Sequence, residues 1–215
     1  MKQIAIYSPK GGVGRTTISL HLADRLTASG RHVFLRDQDP QASALAFALL
    51  ADQAGAPLQY TVGRGVPPQG TDITITDYGP QELAMFPTAD LILVPVVLDG
   101  VSLSVGLRTL DRLARTGAPV LPVISRYRAD RAEHRLAARD KTLEDAVVVS
   151  DRAALAGYYA LGRLVHDPAY GKQRSAVAAR ADLDDLTAAV LERIDPMGIP
   201  DVFADVFRGT EVAHG

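Results

Sequence analysis

Short aliphatic runs alternate along the chain with longer stretches in which apolar residues recur at helical spacing. The runs predict strands, and Leu91–Val97 is almost wholly aliphatic, which is typical of a strand buried on both faces of a parallel sheet. We expect strands at residues 4–7, 33–35, 59–62, 73–76, 91–97, 120–124 and 147–149.

The stretches between these runs predict helices. The first has Ile18, Leu22 and Leu26 on one face and ends before Gly30, as helices commonly do. The helices are expected at residues 16–28, 42–54, 101–115, 129–143 and 183–194. Because strands alternate with helices and the crossovers between parallel strands are right-handed, the pattern predicts an α/β fold with a doubly wound, mostly parallel sheet flanked by helices.

The chain length of 215 residues suits one globular domain, which we place at residues 1–195. Residues 196–215 are punctuated by proline and glycine and are expected to form a loosely attached tail. No apolar run reaches the roughly 18 to 20 residues of a membrane-spanning helix, and the apolar start is too short for a signal peptide. Asp201 and Asp205 in the tail oppose docking on an anionic membrane. We therefore expect a cytoplasmic protein with no membrane partner.

Composition excludes several kinds of site. The chain has no cysteine, which rules out thiolate zinc sites, cysteine-ligated iron–sulfur clusters, disulfides and cysteine nucleophiles. Its net charge of −2 supplies no global positive field, so binding to nucleic acid would require a local patch.

A glycine-rich segment lies between the first predicted strand and the first predicted helix, where a phosphate-binding loop belongs. Its residues are Lys10, Gly11, Gly12, Val13, Gly14, Arg15, Thr16 and Thr17. Glycines let backbone N–H groups converge on phosphate oxygens, and the helix N-terminus adds partial positive charge. A hydroxyl such as that of Thr16 can bind Mg²⁺, and Thr17 can reach the α-phosphate.

The loop departs from the usual phosphate loop because Pro9 replaces its first glycine and Lys10 is an additional lysine. It resembles the deviant Walker A motif of the ParA/MinD family of ATPases, KGGxGK[ST]T, at every position except Arg15. Residues 33–41 resemble the DxDPQ segment of that family, residues 73–80 its Walker B strand and switch region, and residues 89–95 its next strand. Together these similarities cover about residues 3–126.

Three aspartates suit the chemistry of phosphoryl transfer to water, which needs a held metal and an oriented nucleophile. Asp77 ends a buried strand and is expected to hold Mg²⁺ through water. We assign Asp39 to orienting the attacking water and Asp37 to supporting the metal indirectly. The alternative for each is a turn or cap residue, as aspartate before proline often is.

The resemblance carries further implications about assembly. It implies an ATP-bound homodimer in which Lys10 reaches across the interface to the partner's nucleotide. The first strand starts near residue 3 with no helix-turn-helix before it, so the similarity is to small ParA-type plasmid-partition ATPases. Relatives often bind the base near the positions of Ser125 and Arg126, and the sequence leaves that assignment open.

Arg15 is the position where this chain differs from the motif. Lysine is a compact point charge, whereas guanidinium is longer and planar. We expect nucleotide binding to be retained and hydrolysis to be slow or absent, because an error of about 1 Å in geometry can cost on the order of a hundredfold in rate. The alternative is a pocket that compensates for arginine.

Contact with DNA is expected from basic side chains. On a helix over residues 129–143, lengthened by one residue at its start, four arginines would lie along one narrow stripe of the helix surface. Such a stripe could bind DNA phosphates without reading the bases. The four arginines are Arg128, Arg131, Arg135 and Arg139. An ordinary solvated helix face is the alternative. A second, less regular set comprises Arg163, Lys172, Arg174 and Arg180.

These observations give a leading hypothesis and two alternatives. The leading one is a ParA-like ATPase that binds ATP and Mg²⁺, dimerises, binds DNA nonspecifically on the nucleoid, and partitions plasmid or other cargo through a ParB-like or other small DNA-binding adaptor. A nucleotide-gated scaffold or regulator that does not hydrolyse ATP is the second. A metabolic ligase or kinase is the third, and Lys10 and the DxDPQ segment argue against it.

Overall fold

Seven parallel strands form the centre of the molecule. The computed structural model describes residues 1–82 and 85–195. The strands are β1 (Lys2–Ile6), β2 (Val33–Gln38), β3 (Thr61–Gly63), β4 (Ile73–Tyr78), β5 (Leu91–Val97), β6 (Val120–Tyr127) and β7 (Val147–Ser150). Their order in the sheet is β3-β2-β4-β1-β5-β6-β7, and every pairing is parallel. The predicted doubly wound α/β fold is therefore confirmed.

Helices cover both faces of this sheet. They are α1 (Arg15–Ala28), α2 (Ser43–Gln53), α3 (Gly100–Ala114), α4 (Ala132–Ala137), α5 (Ala153–Leu161) and α6 (Arg174–Ile194). Side-chain alternation along β1 separates two cores: Ile4 and Ile6 pack with α1, α2, α5 and α6, whereas Ala5 and Tyr7 pack with α3. All strands run the same way, so the loops that follow them meet at one edge of the sheet.

Two of the predicted helices were wrong in extent, and one helix was missed. The helix expected over residues 129–143 is only Ala132–Ala137, because the chain then turns and the Asp140 side chain caps a short 3-10 helix at Lys141–Leu143. Helix α5 was not predicted, and α6 begins at Arg174 rather than at residue 183. The early part of α6 buries Ala176 and Ala179, whose small side chains give a weak apolar signal.

Within the described ranges, no helix combines the length and apolarity that crossing a membrane requires. The tail expected at residues 196–215 lies outside the described residues.

Candidate nucleotide site

The loop between β1 and α1 has the backbone of a phosphate cradle. Gly12 and Gly14 have φ of 74° and 88°, a left-handed conformation that side chains rarely adopt, and Gly14 is the cap from which α1 starts. The Ser125 hydroxyl, at the end of β6, donates to the Val13 carbonyl at 2.7 Å. The loop is therefore fixed to the sheet at its middle, with its N–H groups at the start of a helix.

Arg15 is the first residue of α1, and its side chain is buried under the loop with 7% of its surface exposed. Its Nε donates to the Tyr78 carbonyl at 2.8 Å, and its Nη1 donates to the carbonyls of Ser8, at 2.9 Å, and Lys10. Burial lowers the pKa of Arg15, while the carboxylates of Asp77 and Asp39 oppose that shift. The guanidinium thus binds three backbone carbonyls from two segments, the β1–α1 loop and the end of β4.

Asp77 lies at the register of β4 opposite Asp37 of β2 and is fully buried. Neither of its carboxylate oxygens has a hydrogen-bond partner in the described part of the chain. Burial raises the pKa of Asp77 to about 6, although the Thr16 hydroxyl and Arg15 lie close enough to lower it in part. A buried carboxylate without a partner is costly unless something else compensates its charge.

The donors at this point fit a magnesium ion. Asp77 offers two unpaired oxygens and Thr16 a hydroxyl beside them. Mg²⁺ prefers such hard oxygen ligands and usually keeps several waters between itself and protein carboxylates. A bound Mg²⁺ would supply the positive charge that compensates the buried Asp77 carboxylate. Thr16 and Asp77 are therefore the residues that would hold it.

Asp37 has a different arrangement from Asp77. One of its oxygens accepts from the backbone N–H of Asp39 at 3.0 Å, and the other accepts from that of Leu45 at 3.0 Å. The carboxylate therefore fixes the β2–α2 loop and caps the start of α2, which is the turn-and-cap role weighed above as the alternative. This placement lets Asp37 act on a metal only indirectly, through its charge near Asp77.

Asp39 is held at the same edge of the sheet. It is 5% exposed, one of its carboxylate oxygens accepts from the backbone N–H of Gln41 at 2.9 Å, and its charge acts on Arg15. The loop after β4 approaches it closely, since a Cβ added to Gly79 would lie 2.8 Å from Pro40 Cδ and 3.5 Å from an Asp39 carboxylate oxygen. Only glycine fits at residue 79 without a shift of the neighbouring loop.

Lys10 and Thr17 occupy the two ends of the loop. Within the described ranges, the Lys10 ammonium has neither an ion pair nor a hydrogen bond, and its side chain is partly exposed. Thr17 faces the other way, where its hydroxyl accepts from Tyr158 at 3.4 Å. Lys10 is therefore available to a group outside this protomer.

A cavity of about 330 Å³ adjoins the loop beside Gly12, Gly14 and Thr17. Its far side is formed by Ser125 and Arg126 of β6, by Arg152 just before α5, and by Leu155 and Ala156 of α5. Arg126 has φ of 56° at an irregularity in the β6–β7 pairing, which turns the strand end toward the cavity. The volume suits the base and sugar of a nucleotide whose phosphates lie in the loop.

Sequence reasoning missed the contribution of α5 to this cavity. The segment Ala153–Leu161 reads AALAGYYAL and has no polar face, so no helical periodicity marks it. Arg152, just before α5, was likewise missed, and its Nε is buried with no hydrogen bond among the described residues.

The four arginines expected on one helical stripe do not lie on one helix. Only Arg135 is within α4, and Arg131 is its cap residue. Arg128 pairs with Asp130 at 2.9 Å and Arg131 with Asp99 at 3.3 Å, while Arg135 donates to the Ala129 carbonyl. Arg139 is exposed and has no ion pair in the part of the chain described. The stripe geometry was wrong, and DNA contact by these side chains stays a prediction.

The second basic set divides into two kinds of residue. Arg163 donates to the Ala54 carbonyl and pairs with Asp167 at 2.8 Å, and Arg180 donates to the Val165 carbonyl at 2.7 Å, so both hold the α5–α6 connection together. Lys172 and Arg174 are exposed. Of this second set, Lys172 and Arg174 are therefore the better candidates for contact with DNA.

Comparison with known proteins agrees with this geometry. A family model described as the CobQ/CobB/MinD/ParA nucleotide binding domain matches residues 4–165. The MinD cell division protein of Aquifex aeolicus has a similar fold, with a TM-score of 0.68 and 17% identity over 93% of this chain and 99% of that one. A plasmid partition protein of Borrelia burgdorferi B31 bound to AMPPNP has a TM-score of 0.62 and 16% identity over 87% of this chain and 99% of that one.

A sequence relative is matched over a shorter stretch. The chromosome-partitioning ATPase Soj of Thermus thermophilus is 46% identical over 44 residues, which are 20% of this chain and 18% of that protein. The match thus spans less than a fifth of the curated relative. Because the family model covers most of the chain, from the first strand to beyond α5, the chain belongs to the CobQ/CobB/MinD/ParA nucleotide-binding family, and the resemblance to ParA/MinD-type ATPases is confirmed.

Proposed function

We propose that this protein is a ParA-like ATPase that binds ATP with Mg²⁺, dimerises around the nucleotide, binds DNA nonspecifically and partitions or positions plasmid or other cargo with a ParB-like or other small adaptor. The observation that carries the nucleotide site is the unpaired, buried Asp77 carboxylate beside Thr16 at the foot of a glycine-rich loop. An apolar side chain at residue 77 would cost less free energy to bury than the Asp77 carboxylate, unless that carboxylate binds a ligand.

The residues of the site divide the work of phosphoryl transfer. The N–H groups of residues 11–16 and the start of α1 hold phosphate oxygens, and Thr17 lies between the loop and the base cavity. Thr16 and Asp77 would hold Mg²⁺, which would supply charge neutralisation at the phosphates when bound. Asp39 is fixed by the Gln41 N–H, so its other oxygen can orient a water for attack.

Dimerisation is proposed from Lys10. Its ammonium has no partner among the residues of the described ranges, although it lies at the mouth of an anion-binding loop. In the arrangement that the family suggests, it reaches the phosphates of the partner's nucleotide. ATP then joins two protomers, and the resulting dimer doubles the basic surface available to DNA.

The nucleotide-gated, non-hydrolysing scaffold is the second candidate, and Arg15 is the observation that favours it. Three of its N–H donors are committed to backbone carbonyls, so the residue is less able than lysine to follow charge that develops at the γ-phosphate. Measured ATP turnover with and without DNA and the adaptor separates the two candidates, since only the ATPase releases phosphate.

The first prediction tests the dimer. Lys10→Ala should weaken ATP-dependent dimerisation while leaving binding of ADP to the monomer within about twofold, because only the partner's phosphates lose a charge-assisted contact of about 1.5–3 kcal/mol. Light scattering with each nucleotide measures the dimer, and Lys2→Ala, which removes an exposed lysine on β1, serves as the control. Equal dimer populations for wild type and Lys10→Ala would refute the shared site.

A further inference from the structure

The donors of Arg15 are distributed in a way that lysine cannot reproduce. Its Nε binds the Tyr78 carbonyl at the end of β4, and its Nη1 binds two carbonyls of the β1–α1 loop, those of Ser8 and Lys10. Its Nη2 makes no hydrogen bond within the described residues and is not sealed from solvent. A guanidinium is a rigid planar fork, so fixing two of its nitrogens also fixes the direction of the third.

The hydrogen bond to the Tyr78 carbonyl connects Arg15 to the loop that holds Asp39. Tyr78 ends β4, and the next residue, Gly79, is packed against Asp39 and Pro40. A displacement of the Arg15 guanidinium would therefore act on the segment after β4 and, through it, on the loop that holds Asp39. The contacts are continuous from the phosphate loop to the aspartate assigned to the attacking water.

We propose that Arg15 is a positioning residue that ties the phosphate loop to the end of β4 through Nε and Nη1 and presents Nη2 to the phosphates of the nucleotide. The inference deepens the proposed function and rests on it for the nucleotide contact. These hydrogen bonds make the position of the phosphate loop depend on arginine. The pocket is therefore adapted to arginine at residue 15. Occupancy of the loop by phosphate is then communicated to residues 78–82.

The test uses the full chain and the variants Arg15→Lys and Arg15→Ala. Inorganic pyrophosphate is the probe, because it has the phosphate chemistry without a base. We expect its Kd to rise by about tenfold or more in both variants, since each loses a charge-assisted hydrogen bond with fixed geometry. Without pyrophosphate, Arg15→Lys should lower Tm by about 5 °C, because lysine cannot span all three carbonyls.

Hydrogen exchange supplies a readout that a purely structural role would not move. Pyrophosphate should protect the amides of residues 78–82 in the wild type and not in Arg15→Lys. Arg25→Lys is the matched control, because Arg25 lies on the same helix and its Nε pairs with Asp184 at 2.8 Å, away from the loop. It should leave pyrophosphate affinity and the exchange pattern unchanged.

The outcomes separate this inference from the proposed function. If the wild type binds ATP and pyrophosphate and Arg15→Lys binds both as tightly or more tightly, the tie is overturned and the nucleotide site stands. An unchanged Tm in Arg15→Lys overturns the tie as well. If the wild type binds neither probe, the proposed function fails together with the role of Nη2.

Discussion

At the scale of single residues, Asp77 and Asp37 show how neighbouring carboxylates acquire different roles. They are register partners on adjacent strands, yet Asp37 accepts two backbone N–H groups and Asp77 accepts none in the described part of the chain. The first is satisfied by the protein and stabilises a loop. The second is left with an unpaired charge, which is the condition in which a metal ion is most useful.

Asp77→Asn should therefore stabilise the nucleotide-free chain while impairing Mg²⁺-dependent binding. The pKa of Asp77 is raised from 3.8 to about 6, so the folded state binds the proton more tightly than the unfolded state between these values. Ionisation of Asp77 in the folded state therefore costs the wild type on the order of 2–3 kcal/mol in total as pH rises through that window, and the stability of Asp77→Asn relative to the wild type should rise by this amount. Urea unfolding of both proteins at pH 5 and pH 8 measures the change in this difference, which should be about half of the total because much of the titration occurs below pH 5.

A wild type that is as stable as Asp77→Asn at pH 8 would show that the carboxylate has a partner in solution. Asp37→Asn is the control: each Asp37 oxygen accepts from one backbone N–H, and the substitution replaces one of these acceptors with an NH₂ donor, so it should destabilise at both pH values.

At the scale of elements, helix α1 joins the phosphate loop to the rest of the core. Its His21 is fully buried, donates from Nδ1 to the Thr17 carbonyl at 2.8 Å and accepts from the Val165 N–H at 3.4 Å. The imidazole stacks edgewise on Tyr158 of α5 with ring centroids 4.6 Å apart. The neutral ring therefore links the first turns of α1 to α5 and the connection after it.

Protonation of His21 in acid should weaken this contact between α1 and α5. Burial lowers the pKa of His21 from 6.5 to about 4, so the unfolded state binds the extra proton between these values. In the Asp77→Asn background, where the opposing titration of Asp77 is absent, stability should fall as pH decreases from 6.5 toward 4, by up to about 1.4 kcal/mol per pH unit. His21→Gln should remove this dependence, and urea unfolding between pH 4 and 7 checks it. The slope has the opposite sign to that of Asp77, so the double variant with Asp77→Asn isolates it.

The elements also show what the sequence could and could not predict. The strands were predicted because short aliphatic runs, such as those at residues 4–7, 73–76 and 91–97, are typical of strands buried in a parallel sheet. Helix α5 was missed because it is apolar on all sides. The helix predicted over residues 129–143 was too long, because the charged residues there recur at helical spacing although the Asp140 side chain caps a turn. The hydrogen bond from Arg15 to the Tyr78 carbonyl joins residues far apart in sequence, so no local pattern could predict it.

At the scale of the whole molecule, attraction to DNA has to come from a few side chains, since the net charge is −2. Many arginines are occupied: Arg163 and Arg180 hold backbone carbonyls, and Arg128 and Arg131 pair with aspartates. Exposed cations without such commitments, of which Arg139 is one, are the better candidates.

Replacing Arg139 and Arg174, which are exposed, by alanine should weaken binding to all DNA sequences alike. Each lost phosphate contact should reduce the slope of log affinity against log salt by about one unit per protomer. Filter binding over a salt series measures the slope, with Arg115 and Arg193 replaced by alanine as a control that removes the same charge elsewhere. An unchanged slope in the first variant would identify its arginines as an ordinary solvated surface.

The nucleotide site itself is tested most directly by calorimetric titration of the full chain with ATP, with Mg²⁺ and with EDTA in its place. We expect binding with Mg²⁺ that weakens by at least about tenfold in EDTA, because Asp77 and Thr16 then lose the ion that connects them to the phosphates. Asp77→Asn should bind ATP with nearly the same affinity in both conditions. No detectable binding at millimolar ATP, or equal affinity of the wild type with and without Mg²⁺, would contradict the assignment of this site.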